Sequence, residues 1–185
     1  MDTEANVDLV GRLLVAAPVL DDPNFARTVV LIIDHDDDGS VGVVLNRPGA
    51  QDVGQLLPRY EPLAAPPRVL FGGGPVTPDG VLCVARGTCV GSERFKAFLG
   101  ELGVLGLDQD EPGDGIEQVR LFHGYAGWTS GQLQSELDAG AWFVQQASPD
   151  DVFSQDPDNL WAHVLRRGGG PNALLATLPE DPSTN

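Results

Sequence analysis

Within eight residues, 123–130, the chain places a histidine, a tyrosine, a tryptophan and two adjacent hydroxyls: His-Gly-Tyr-Ala-Gly-Trp-Thr-Ser. A histidine acts as a general base when a proton donor lies within hydrogen-bond reach, and Thr129 and Ser130 are the nearby hydroxyls. A hydrolase-like enzyme using His123 and Ser130 beside the Gly124–Trp128 turn is therefore one reading. Against it, Gly-Trp-Thr-Ser-Gly is not the Gly-x-Ser-x-Gly nucleophile elbow, because Ser130 sits one place late. Thr129 followed by Gln132 also fits a helix capping box, which accounts for the hydroxyls without catalysis. No catalytic residue is assigned on this pattern. Gly124, Gly127 and Gly131 are expected to bend a strand into a helix, whose first N–H groups attract an anion or a carbonyl oxygen. Tyr125 and Trp128 would wall that concavity, or else fill the core.

Other stretches carry weaker signals. Asp34-His35-Asp36-Asp37-Asp38-Gly39 has carboxylates at positions 1, 3 and 5 of a calcium loop and glycine at 6. The twelfth position is Leu45 instead of a bidentate glutamate, and strands flank it, so a solvated acidic hairpin tip is expected and no metal. Phe71-Gly72-Gly73-Gly74-Pro75 lacks the endings of a P-loop or dinucleotide loop, so its glycines are read as close backbone approach and no cofactor is expected. Cys83 and Cys89 form neither a disulfide framework nor a zinc signature; Cys83, among Val and Leu, reads as a small buried hydrophobe. His163 lies on a predicted helix with no partner in sequence.

Asn46-Arg47-Pro48 is more informative. Asn46 offers a donor and an acceptor, and Arg47 a planar cationic fork suited to carboxylate or phosphate. "VLNRP", residues 72–75 and "GYAGW" each end a predicted strand, and strand ends of a curved sheet gather at a rim. We expect these three to meet at one surface, with Asn46, Arg47, Gly73, Gly74, Pro75, Gly124, Tyr125, Gly127, Trp128 and Gln132 as candidate contacts. The competing account pairs Arg47 with an internal carboxylate that fixes the hairpin.

The elements that would position these residues are mostly strands. Val29–Ile33 and Val41–Leu45 flank a polar connection ending in Asp38-Gly39 and read as a hairpin. Residues 11–18, 68–74, 80–87 and 141–147 read as strands, and 117–127 as a strand running into a glycine-rich turn. A short helix precedes Pro58, and Leu133 and Leu137 mark another that Gly140 stops. Asp158 would cap a last helix, ended by Gly168, whose apolar face is Leu160, Trp161, Val164 and Leu165. Helix and strand signals compete over 92–106, and 111–115 is a surface loop. Helices inserted among strands without regular alternation point to an α+β class.

At 185 residues the chain suits one domain. A flexible start is expected over 1–7, a domain over 8–180 and a frayed tail over 181–185. Eleven basic residues against twenty-seven acidic ones give a net charge of −16. Phosphate backbones are bound through Lys and Arg that release counterions, so direct nucleic-acid binding is not expected, nor binding to anionic membranes. The acidic start lacks the basic and apolar regions of a secretory signal, and no apolar run is long enough to span a bilayer. A cytoplasmic location is the default.

Taken together, "GRLLVAAPVLDDPNFARTVVLIIDHDDDGSVGVVLNRP", "FGGGPVTPDG", "HGYAGWTSGQLQSEL…GAW" and "DVF…LWAHVLRRGG" closely resemble the YqgE/AlgH family of bacterial proteins over roughly residues 8–180. The positions that match its recurring motifs are Arg27, Thr28, Asn46, Arg47, Pro48, Gly73, Pro75, Gly124, Tyr125, Gly127, Trp128 and Gln132. The resemblance implies a single domain with a mixed, largely antiparallel barrel-like sheet and flanking helices. It implies a cytoplasmic protein with no established enzymatic activity, and some members carry a transcriptional-regulator label without a DNA-binding fold. The expectation is a non-enzymatic binding or regulatory protein acting through a protein partner or a small anionic ligand, with any effect on transcription indirect. Thr129-Ser130 departs from the commoner Gly-Pro or Ala-Pro of the family, and His123 stands where relatives carry other small or polar residues.

Overall fold

The computed structural model describes residues 8–88 and 92–179. The expected flexible start (1–7), the tail (181–185) and Cys89 lie outside the described residues. In chain order the elements are β1 (Arg12–Ala16), β2 (Val29–Asp36), β3 (Gly39–Val44), β4 (Pro48–Asp52), α1 (Val53–Leu56), β5 (Val69–Gly72), β6 (Val76–Gly87), β7 (Phe95–Leu99), β8 (Leu102–Leu105), β9 (Ile116–Thr129), α2 (Gln132–Asp138), β10 (Trp142–Gln146), α3 (Pro149–Val152), α4 (Leu160–Gly168) and α5 (Gly170–Leu175). Strand order is β10-β1-β2-β3-β9-β6-β8-β7, with β4 paired to β5 and β5 to β9. Every pairing is antiparallel except β5 with β9. The class is α+β, with a mixed, largely antiparallel sheet in a single domain.

The sheet curls into a half-barrel. Leu99 of β7 lies against Gly11, just before β1, and Lys96 of β7 reaches Asp34 of β2 at 3.9 Å. The far edge therefore returns towards the first strands. Alternation sorts the side chains: Leu13 and Val15 of β1, and Val29, Leu31 and Ile33 of β2, enter the inner cluster that α4 covers. Leu14 and Ala16, with Val30 and Ile32, enter an outer cluster under α2. Because both faces are buried, β2 reads as an unbroken apolar run rather than an alternating one. A third cluster, with Cys83, Val119 and Leu121, lies beneath α1.

Residues 124–128 correct the expectation of a glycine-rich turn: β9 runs straight through them. Val119 and Leu121 face the outer clusters and Phe122 the inner one, yet Tyr125 faces inward and Ala126 and Trp128 outward. The alternation slips by one residue at Gly124, whose φ of +66 is left-handed and costs glycine least. At the same place β9 changes neighbour, from β5 (Phe71 and Gly72 opposite Phe122 and His123) to β3.

Several local expectations need correction. Thr129 remains in the sheet opposite Gly39, so it does not cap α2; Gly131, at φ +72, takes that position. Gln132 still receives the Thr129 N–H at 3.1 Å. Asp158 lies within a 3-10 turn, and α4 starts from Asn159 with no side-chain cap. Residues 95–105 form a hairpin, β7–β8. The connection 76–80 belongs to β6, bulged out where Val76 and Val81 bracket the register shift. Gly140, at φ +72, follows the end of α2 as expected, and the acidic tip at 36–38 is exposed.

One buried cation, Arg120, has no carboxylate partner among the described residues. Arg120 donates to Ser154 O (3.0 Å), Ala65 O (3.2 Å) and Pro66 O (2.8 Å), and its guanidinium lies 4.2 Å over the Phe71 ring. Burial pushes its pKa down to about 10, and its Nε makes no hydrogen bond among the described residues.

Candidate functional site

The base of the β2–β3 hairpin is built by Asn46. Its Oδ1 accepts from the Val29 N–H at 2.9 Å and its Nδ2 donates to Arg27 O at 2.9 Å. Those two bonds hold the backbone on either side of Thr28, which is buried and donates to Phe25 O. Arg27 has φ +55, a left-handed conformation uncommon outside glycine. The geometry lays its guanidinium 4.1 Å over the face of Trp161, and its Nη1 donates to Leu178 O at 3.2 Å. Trp161 is itself fixed, since its Nε1 donates to Ala16 O at 2.9 Å.

Arg47 pairs with no carboxylate among the described residues. Its Nη1 and Nη2 donate to Pro23 O (3.0 Å) and Ala26 O (3.2 Å), pinning the loop before β2. The reason is the curl of that loop, which turns backbone carbonyls towards the end of β3. Arg27, Asn46 and Arg47 then line a cleft of about 620 Å³, closed on the far side by Asp158, Asn159 and Trp161 at the start of α4. Arg47 also lines a recess of about 170 Å³ with Asn24, Gly72, Gly74 and Pro75.

Glycines let the second recess form. Gly72 N–H donates to Arg47 O, Gly73 N–H to His123 O, and Gly73 O accepts from Val44, which joins β3, β5 and β9. A Cβ on Gly73 would strike Gly124 O, and one on Gly74 would strike the Tyr125 carbonyl. The backbones of Arg47, residues 72–74 and residues 123–125 thus come together, but "GYAGW" does not gather with them at one surface as expected. Tyr125 and Gly124 face a different, largely apolar pocket of about 340 Å³ with Cys83 and Leu105. Burial pushes the Cys83 thiol up, which disfavours its thiolate.

Trp128 does not reach the cleft. It is buried under Phe25 and Trp142, with ring centroids 6.0 and 6.1 Å away. Both indole N–H groups donate to one Glu136 oxygen, at 2.9 and 2.8 Å, and Gln132 donates to the other. Gly127 is exposed on β9 opposite Val41. His123 and Ser130 are seven positions apart along extended chain, roughly 20 Å, so they share no site. Among the described residues no group of three or more His, Cys, Asp or Glu is arranged to hold a metal ion. Nor is any helix among them long and apolar enough to cross a membrane.

Sequence reasoning does not place Asn24, Asp158, Asn159 or Trp161 at a site: it gives Asp158 only as a helix cap, Trp161 only on an apolar helix face, and Arg27 only as a motif position. Only the isolated arginine preceding a β-branched run hinted at Arg27; its partner Trp161 lies on a helix near the other end of the chain.

Comparison with known proteins agrees with this architecture. The AlgH-like family model matches residues 13–173. A UPF0301 protein of Streptomyces coelicolor is 48% identical over 184 residues, covering 96% of this chain and 95% of the relative. A Thermobifida fusca UPF0301 protein is 44% identical over 98% of this chain and 100% of its own length. A crystal structure of a Corynebacterium diphtheriae protein superposes with a TM-score of 0.85 at 31% identity, covering 94% of each chain. The solution structure of the AlgH protein from Pseudomonas aeruginosa gives 0.70 at 31% identity, over 98% of this chain and all of the other.

Proposed function

The chain belongs to the AlgH-like family, and from that premise we propose that it is a non-enzymatic binding protein whose cleft beside α4 takes an anionic ligand. One observation carries this reading. Arg27 and Arg47 share a cleft, and neither has an ion pair among the described residues, whereas Arg59, Arg86, Arg94, Lys96 and Arg167 are matched to carboxylates. Arg12, Arg68, Arg120 and Arg166 also lack an ion pair among the described residues, so what sets this place apart is that two such arginines line one cleft. Arginine presents N–H donors in a fork that fits carboxylate or phosphate, and each charge-assisted bond contributes about 1.5–3 kcal/mol. Asn46 is a positioning residue, because its own donor and acceptor hold the backbone around Arg27. A regulatory role would then run through such a ligand or partner and not through contact with DNA.

Titration with glutarate and with inorganic phosphate, followed by amide chemical shifts, tests the reading. Saturable shifts at Arg27, Arg47 and Asn159 are expected, and Arg27→Gln should weaken binding about tenfold or more, given the strength of one charge-assisted bond. No saturable shift with either anion, or equal binding by the variant, would overturn it.

A further inference from the structure

We infer that the ligand of this site is an extended acidic peptide segment of a partner protein, lying across both recesses with Arg47 beneath its middle. This rests on the anionic-ligand reading above and goes further in naming the class. Three features separate a peptide from a compact anion.

First, the surface is double. Arg47 lines both the cleft of about 620 Å³ and the recess of about 170 Å³, so the two share one residue of their walls. A small anion fills one side; a strand of several residues spans both. Second, the polar groups are not all donors. Asp158, on the rim opposite the arginines, makes no ion pair among the described residues and offers acceptors only. A bare dicarboxylate has nothing to give it, whereas a peptide brings backbone N–H groups along with its carboxylates. Third, the far recess presents backbone-type partners. The N–H of half-buried Gly74 makes no hydrogen bond among the described residues, and Asn24 lines the same recess. An amide donor and a mixed donor–acceptor side by side suit a peptide unit.

The acidic surface does not forbid an acidic partner. At physiological salt the Debye length is about 8 Å, so distant carboxylates are screened while the arginines in contact are not. Arg47 is already oriented by Pro23 O and Ala26 O, which removes part of the ordering cost of engaging a carboxylate.

A fluorescein-labelled hexaglutamate peptide tests the inference against glutarate, with anisotropy and competition at 0.15 M salt. Hexaglutamate is expected to bind at least tenfold more tightly than glutarate. Asn24→Asp, which adds a negative charge to the far recess, should weaken the peptide at least fivefold more than it weakens glutarate. An oligothymidylate of similar charge should compete poorly, because it lacks the peptide N–H groups. If glutarate binds but the peptide gains nothing, or Asn24→Asp weakens both alike, or the oligothymidylate competes as well as the peptide, the peptide inference falls and the anion cleft stands. If glutarate, inorganic phosphate and the peptide all fail to bind, both fall; if phosphate alone binds, the peptide inference falls and the anion cleft stands.

Discussion

Arg120 shows how a single side chain can organise chain segments far apart in sequence. Three carbonyls, of Ala65, Pro66 and Ser154, point at a guanidinium that has no carboxylate beside it among the described residues. Replacing it removes a costly buried charge but strands three acceptors, and each unsatisfied buried acceptor costs about 1–3 kcal/mol. Arg120→Met should therefore lower the unfolding free energy by about 3 kcal/mol or more, read from urea denaturation. A loss below about 1 kcal/mol would mean that the carbonyls find other donors and the cation is not their organiser. Arg27 is strained in a different way: Asn46 and Trp161 together hold it in left-handed backbone conformation with its charge laid on an indole. None of this shows in composition. An arginine in sequence looks the same whether it meets a carboxylate, a ring or a row of carbonyls.

Among the elements, β9 couples the whole sheet. It contacts β6 along one side and β5 then β3 along the other, and Gly124 is where both the neighbour and the facing side change. Gly124→Ala adds a left-handed strain and a methyl group driven into the Gly74 carbonyl. We expect a loss of more than about 2 kcal/mol, the sum of such strain and overpacking, with a fall in the thermal midpoint. A variant as stable as the parent would show that the strand crossing is not tight. The same crossing marks where sequence pattern stops being informative. The β2–β3 hairpin, β1, β10 and the apolar face of α4 are legible because burial leaves a run or a period of apolar residues. Past residue 123, β9 reads as a turn, since glycines that serve close backbone approach look identical to glycines that serve a bend. β4, whose five residues are mostly exposed and include no large apolar side chain, and the short α3 and α5 carry no such pattern.

For the molecule as a whole, the candidate site is half legible in the sequence. Asn46, Arg47 and residues 73–75 can be linked because each follows a clear strand, and strand ends gather at a rim. The same reasoning groups Trp128 with them, yet Trp128 is buried beneath Phe25. The far wall of the cleft leaves no trace in the pattern, because α4 supplies it from the opposite end of the chain. The loop that Arg47 pins is the same loop that carries Phe25 onto Trp128 and Trp142, while Arg27 covers Trp161. All three tryptophans of the chain are thus wired to the two arginines, one directly and two through Phe25. The protein therefore contains its own optical reporter. Any occupant that draws on Arg27 or Arg47 should alter intrinsic emission without an added label, and Phe25→Ala should remove the Trp128 and Trp142 share of that response while leaving the Trp161 share.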